Sequence, residues 1–102
     1  MDINYAQNGN QVKIIVQGNI DTKGGEKLSN VLNEIMTLEN IKHIIFDLST
    51  VMTTTSSGIG KILRFYKHVD SIGGTMEVNG ISDNLYTQFK EIHLERIFSI
   101  KK

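Results

Sequence analysis

Between Ser49 and Gly60 the chain reads Ser-Thr-Val-Met-Thr-Thr-Thr-Ser-Ser-Gly-Ile-Gly, a run crowded with hydroxyls and closed by two glycines. Hydroxyl side chains in such a place can attack a substrate, accept a phosphoryl group, or cap a helix. Attack needs a base and an oriented partner, and neither can be identified here. The hydrolase elbow Gly-x-Ser-x-Gly fails because Thr54 stands where its first glycine belongs. The histidines His43, His68 and His93 fall on a strand start, a helix surface and a helix end with no ligand spacing, so each is read as solvated. Gly58-Ile59-Gly60-Lys61 is no phosphate-binding loop, since Thr55 and Ile62 hold the positions that need glycine and Ser or Thr. Leu63 likewise breaks the dinucleotide fingerprint. Neither enzyme activity, nor a metal, nor a cofactor is expected. Ser56 and Ser57 remain, either as a helix cap and its neighbour or as acceptors of a phosphate that would meet the free N–H groups of a helix start. Gly58 and Gly60 are read as letting the first helical turn approach a strand closely.

The elements that must hold this loop can be read from periodicity. Ile3 and Tyr5, then Val12, Ile14 and Val16, alternate on either side of Asn8-Gly9 and predict an antiparallel hairpin. Gly18 ends the second strand, and Asp21 or Thr22 offers an oxygen to cap a helix over roughly Gly24 to Leu38, whose Leu28, Val31, Leu32, Ile35 and Met36 share one face. Ile41 to Leu48 reads as a central strand, with Asp47 as a turn residue at its end. Ile59, Ile62, Leu63, Tyr66 and Val69 predict a second helix from Ser57 to about Ile72, stopped by Gly73-Gly74. Thr75 to Val78 is a short strand. Ser82, with Asp83 and Asn84, caps a third helix carrying Leu85, Phe89 and Ile92, after which Ile97, Phe98 and Ile100 form an edge strand or dock on the core. The order β-β-α-β-α-β-α gives an α/β class with a mixed sheet, and its ligands are expected beyond the carboxyl ends of the strands, where the hydroxyl loop lies.

Composition narrows the partners. At 102 residues the chain suits one domain, residues 1–102. It has no cysteine, and its N-terminus, Met-Asp-Ile-Asn-Tyr, lacks the regions of a signal peptide, so a cytoplasmic location is expected. Eleven basic and eleven acidic residues cancel, and no basic cluster exceeds Lys101-Lys102, which argues against nucleic acid. The apolar run Ile44-Ile45-Phe46 is far short of the roughly 20 residues that a bilayer requires, so membrane insertion is not expected.

Three stretches together carry a resemblance that covers nearly the whole chain: Gly18-Asn19-Ile20-Asp21, Phe46-Asp47-Leu48-Ser49-Thr50-Val51 and Ser56-Ser57-Gly58-Ile59-Gly60. With Gly73-Gly74 and the Leu85, Phe89, Leu94, Ile97, Phe98 pattern, the chain resembles a STAS domain, the family of anti-sigma factor antagonists and of the cytosolic tails of sulphate transporters. The resemblance implies a STAS-like mixed sheet with an N-terminal antiparallel hairpin and helices packed on it. It further implies an anti-sigma factor antagonist, whose partner is an anti-sigma serine kinase of the histidine-kinase-like ATPase type. Phosphorylation of the loop releases that kinase, and a cognate phosphatase resets the switch. Carried onto this chain the acceptor is Ser56, with Ser57 and Thr55 as alternatives; Thr55 stands where similar antagonists have Asp. Asp21, Thr54, Thr55, Ser56, Ser57, Gly58, Ile59, Lys61 and Arg64 are the expected partner-binding residues, and a weak homodimer is a further association open to the chain. The alternative is a phosphorylation-independent STAS adaptor or scaffold in a transporter-associated or stress-signalling complex.

Overall fold

The structure, a computed structural model, describes residues 1–102. The chain runs β1 (Asp2–Asn8), β2 (Gln11–Gln17), α1 (Thr22–Met36), β3 (His43–Leu48), α2 (Ser56–Ser71), β4 (Thr75–Ile81), α3 (Asp83–Glu91) and β5 (Ser99–Lys101), with a 3-10 turn at Leu94–Arg96 before β5. The five strands form one sheet in the order β1-β2-β3-β4-β5. β1 and β2 are the antiparallel hairpin; every later pair is parallel, with β3 at the centre.

Alternation along the strands shows which face the helices cover. Val12, Ile14 and Val16 of β2 and Ile44, Phe46 and Leu48 of β3 are buried, whereas the residues between them, such as Lys13, Ile45 and Asp47, are exposed or half-buried. Each crossover steps to the next strand in the same direction, and right-handed crossovers of that kind place every helix on one side of the sheet. The molecule therefore has two layers, a helical layer over an apolar sheet face and a bare polar face behind. Between the layers lies a cluster of 23 buried apolar residues. Phe46 of β3 meets Phe65 of α2 edge to face, centroids 6.0 Å apart and planes at 89°. On β1, Tyr5 packs at the margin of this core. Its phenol is held above its ordinary value of 10.0 by loss of hydration, with the Glu34 carboxylate of α1 adding to the shift.

Several boundaries differ from the sequence reading, each for a local reason. The hairpin turn falls on Gly9-Asn10 instead of Asn8-Gly9, with Gly9 at φ +63°. Helix α1 starts at Thr22 because Asp21, and not Thr22, is the cap, its Oδ1 accepting from Gly24 N at 2.7 Å. β3 starts at His43, two residues late, and β4 continues to Ile81 through a register shift against β3. Ile92 is the C-cap of α3 and is exposed, so it leaves the buried face to Leu85 and Phe89. The last strand does form, as Ser99–Lys101 beside β4, while Ile97 lies outside it with 41% of its surface exposed.

Candidate functional site

The hydroxyl loop leaves β3 through a tight turn, in which Asp47 Oδ1 accepts from Ser49 N at 3.0 Å and from Ser49 Oγ at 2.7 Å. From there it is tied to other segments along its length. Thr50 Oγ1 donates to Val16 O and accepts from Gly18 N, both at 3.3 Å. Asn19 Oδ1 accepts from Met52 N at 3.1 Å and Thr53 N at 3.3 Å. Ile20 N donates to Thr53 O at 3.1 Å and Thr55 N to Ile20 O at 3.2 Å, closing a parallel bridge between Ile20 and Thr54. Behind the loop, Ser82 Oγ donates to Val51 O at 2.8 Å, and the Gln88 amide grips the Thr54 backbone, its Nε2 donating to Thr54 O at 2.8 Å and its Oε1 accepting from Thr54 N at 3.4 Å. Two of the stretches singled out in the sequence, Gly18 to Asp21 and Ser49 to Ser57, thus lie side by side at the carboxyl ends of β2 and β3, the place where ligands meet parallel sheets.

The loop ends in a cap, and Thr55 supplies it. Its backbone is extended (φ −78°, ψ 162°) and its Oγ1 accepts from Gly58 N at 3.0 Å. This corrects the reading of Ser56 or Ser57 as the cap: both serines are already helical, α2 beginning at Ser56 and not Ser57. Their side chains are exposed, and their hydroxyls make no hydrogen bond within the chain. Ile59 N closes the first helical bond to Thr55 O at 3.1 Å, so the N–H groups of Ser56 and Ser57 are left to solvent at the positive end of the helix.

Of the other residues expected at this site, Asp21, Ser56, Ser57 and Arg64 are exposed, and Thr55 and Lys61 are half-buried. Thr54 is buried at 8% exposure, as are Gly58 and Ile59, so these three support the surface from beneath instead of forming it. A Cβ on Gly58 would collide with Thr54 Oγ1 and lie 2.9 Å from Ile20 Cγ2, which is why only glycine fits where α2 crosses the Ile20–Thr54 bridge. Gly60 differs from the expectation. A Cβ there meets nothing within 4 Å, so no close approach within the chain calls for glycine, and an exposed helical glycine costs about 1 kcal/mol relative to alanine. Lys61 reaches toward α1, its Nζ 3.2 Å from where a Cβ on Gly25 would stand. His43, His68 and His93 lie apart, and no group of three His, Cys, Asp or Glu side chains converges as a metal site would require. No helix is long and apolar enough to cross a membrane.

A family model for the STAS domain matches residues 2–102. The chain belongs to the STAS domain family. Among solved structures, this STAS domain is similar to the anti-sigma factor antagonist SpoIIAA in its unphosphorylated form, with a TM-score of 0.84 at 16% identity over 99% of this chain and 89% of that one. The phosphorylated form of SpoIIAA, from Bacillus, matches with a TM-score of 0.77, again at 16% identity, over 99% of this chain and 92% of that one. An anti-sigma factor antagonist from Mycobacterium paratuberculosis matches at 0.84 and 16% identity, over 97% and 83% of the two chains. A sulfate transporter family protein from Wolinella succinogenes matches at 0.75 and 18% identity, over 88% and 72%. At these identities the likeness is one of fold.

Two of the supporting residues had no assigned role in the sequence reading. Asn19 belongs to the Gly18 to Asp21 stretch, but nothing in the local sequence marks its side chain as a tie to Met52 and Thr53. Gln88 sits among the apolar positions of α3, and no local pattern connects it to a backbone 34 residues away.

Proposed function

We propose that this STAS domain is a cytoplasmic anti-sigma factor antagonist that works by partner switching and is itself a substrate, not an enzyme. The observation that carries the reading is the state of Ser56: a free, exposed hydroxyl at the first turn of α2, on a loop tied down from four sides, with the capping task taken by its neighbour Thr55. SpoIIAA, which shares the fold, has been solved both phosphorylated and unphosphorylated, and this supports the assignment.

In the proposed cycle, unmodified Ser56 lies within a surface formed by Asp21, Thr55, Ser57, Lys61 and Arg64 and docks against an anti-sigma kinase of the histidine-kinase-like type. The kinase holds ATP and magnesium and transfers the γ-phosphoryl group to Ser56 Oγ, whose proton passes to a base of the kinase. The product carries about two negative charges. Within the domain that charge faces the open N–H groups of Ser56 and Ser57 and is tolerated. At a packed interface the same charge must lose its water, and a penalty of about 3 kcal/mol weakens the complex more than about a hundredfold. A phosphatase resets the serine. Thr55 keeps the cap but brings no charge beside the acceptor. Together with the transporter-family likeness, this favours, as the second reading, an adaptor that binds without being modified.

The test is intact mass with site mapping after incubation with the kinase and ATP. One added phosphate is expected, located on Ser56, absent from Ser56→Ala and accompanied by release of the kinase. A stable complex that acquires no phosphate would move the assignment to the adaptor.

A further inference from the structure

Gly60 is the fifth residue of α2, exposed, with open space where a side chain would stand. The fold gives no reason for glycine there, in contrast to Gly58, and the helix is weaker for it. What glycine does provide is room for a backbone from outside to come close. Beside it, Leu63 and Tyr66 of α2 and the exposed Ile97 line an open, mainly apolar groove whose charged members are Arg64 and Lys67, with no carboxylate among the lining residues. The helical repeat puts Ser56, Gly60, Leu63 and Lys67 on one stripe, at i, i+4, i+7 and i+11. The acceptor serine therefore stands at the head of the groove. Ser57, Lys61 and Arg64 follow the neighbouring stripe toward α1.

We infer that this groove is a docking site for an acidic, amphipathic segment of the partner protein. The segment's backbone passes over Gly60, an apolar side chain seats among Leu63, Tyr66 and Ile97, and its carboxylates face Arg64 and Lys67. The inference rests on the antagonist reading and extends it. A phosphate on Ser56 then brings its negative charge to the end of a track occupied by an acidic chain, so release is an electrostatic repulsion along α2 and not only a clash at one hydroxyl.

The experiment is calorimetric titration of the full chain with the purified anti-sigma kinase of its own genome, at low and high salt. Gly60→Leu fills the groove and is expected to weaken binding by about tenfold or more. Gly60→Ala is expected to raise the melting temperature by about 4 °C, which excludes misfolding as the cause, while weakening binding several-fold. Lys67→Glu is expected to weaken binding and flatten its salt dependence, and Asn79→Leu, on the bare sheet face, to bind as the wild type does. If the wild type binds and both Gly60→Leu and Lys67→Glu stay within about twofold of it, the groove is overturned and the serine switch stands. If the wild type does not bind the kinase, the antagonist reading falls and the acidic occupant with it. Self-association of the wild type that Gly60→Leu abolishes would assign the groove to a second copy and overturn the proposal.

Discussion

Thr55 shows how one side chain divides two physical tasks. An aspartate before a phosphoacceptor can cap the helix and also present a charge; threonine can do only the first. The cap is made, with Oγ1 to Gly58 N at 3.0 Å. Thr55→Val keeps the shape and loses the acceptor, and is expected to cost about 1 kcal/mol, read as a fall in melting temperature of about 4–8 °C. Thr55→Asp keeps the cap and adds an anion at the positive helix end, so its melting temperature should equal or exceed that of the wild type. A Thr55→Asp domain clearly less stable than Thr55→Val would mean that the cap geometry is not what holds this turn.

The loop and α3 act as one element because the Gln88 amide satisfies both backbone polar groups of buried Thr54. Gln88→Ala leaves Thr54 N–H and C=O buried without partners, a loss of about 1–3 kcal/mol. Faster amide exchange at Thr54 is the expected signature, together with proteolytic nicking between Val51 and Thr55, while the amides of α2 beyond its first turn keep their protection. Unchanged exchange at Thr54 would show that the loop's other ties, from Asn19, Ile20 and Ser82, hold it without Gln88. This dependence also explains what the sequence could and could not tell. Apolar spacing locates the hairpin, the buried faces of α1 and α2 and the central strand, because those patterns are local. It cannot choose the cap from the run Thr53 to Ser57, where every residue is a good cap; the choice falls to Thr55 because Ile20 pairs with Thr54 and sets where the helix starts. Nor can it tell that Gly58 is pressed against that bridge while Gly60 faces open space.

At the scale of the molecule, two layers mean that neighbouring residues on one strand have unequal weight. Phe46 faces the helices with no exposure and meets Phe65 edge to face, so Phe46→Ala is expected to cost about 3–5 kcal/mol in urea unfolding, enough to threaten the fold. Ile45, one residue earlier, looks out from the bare face, and Ile45→Thr should cost less than about 1 kcal/mol. Equal losses would mean that something covers the bare face. The strand order has a consequence of another kind, for how the chain is made. Because each strand lies beside its predecessor in sequence, synthesis can lay the sheet down in order, hairpin first and one βα unit after another, with no gap held open for a later strand. The three-residue β5 is synthesised after β4 and pairs with that strand alone, so it adds to an edge whose partners are made earlier.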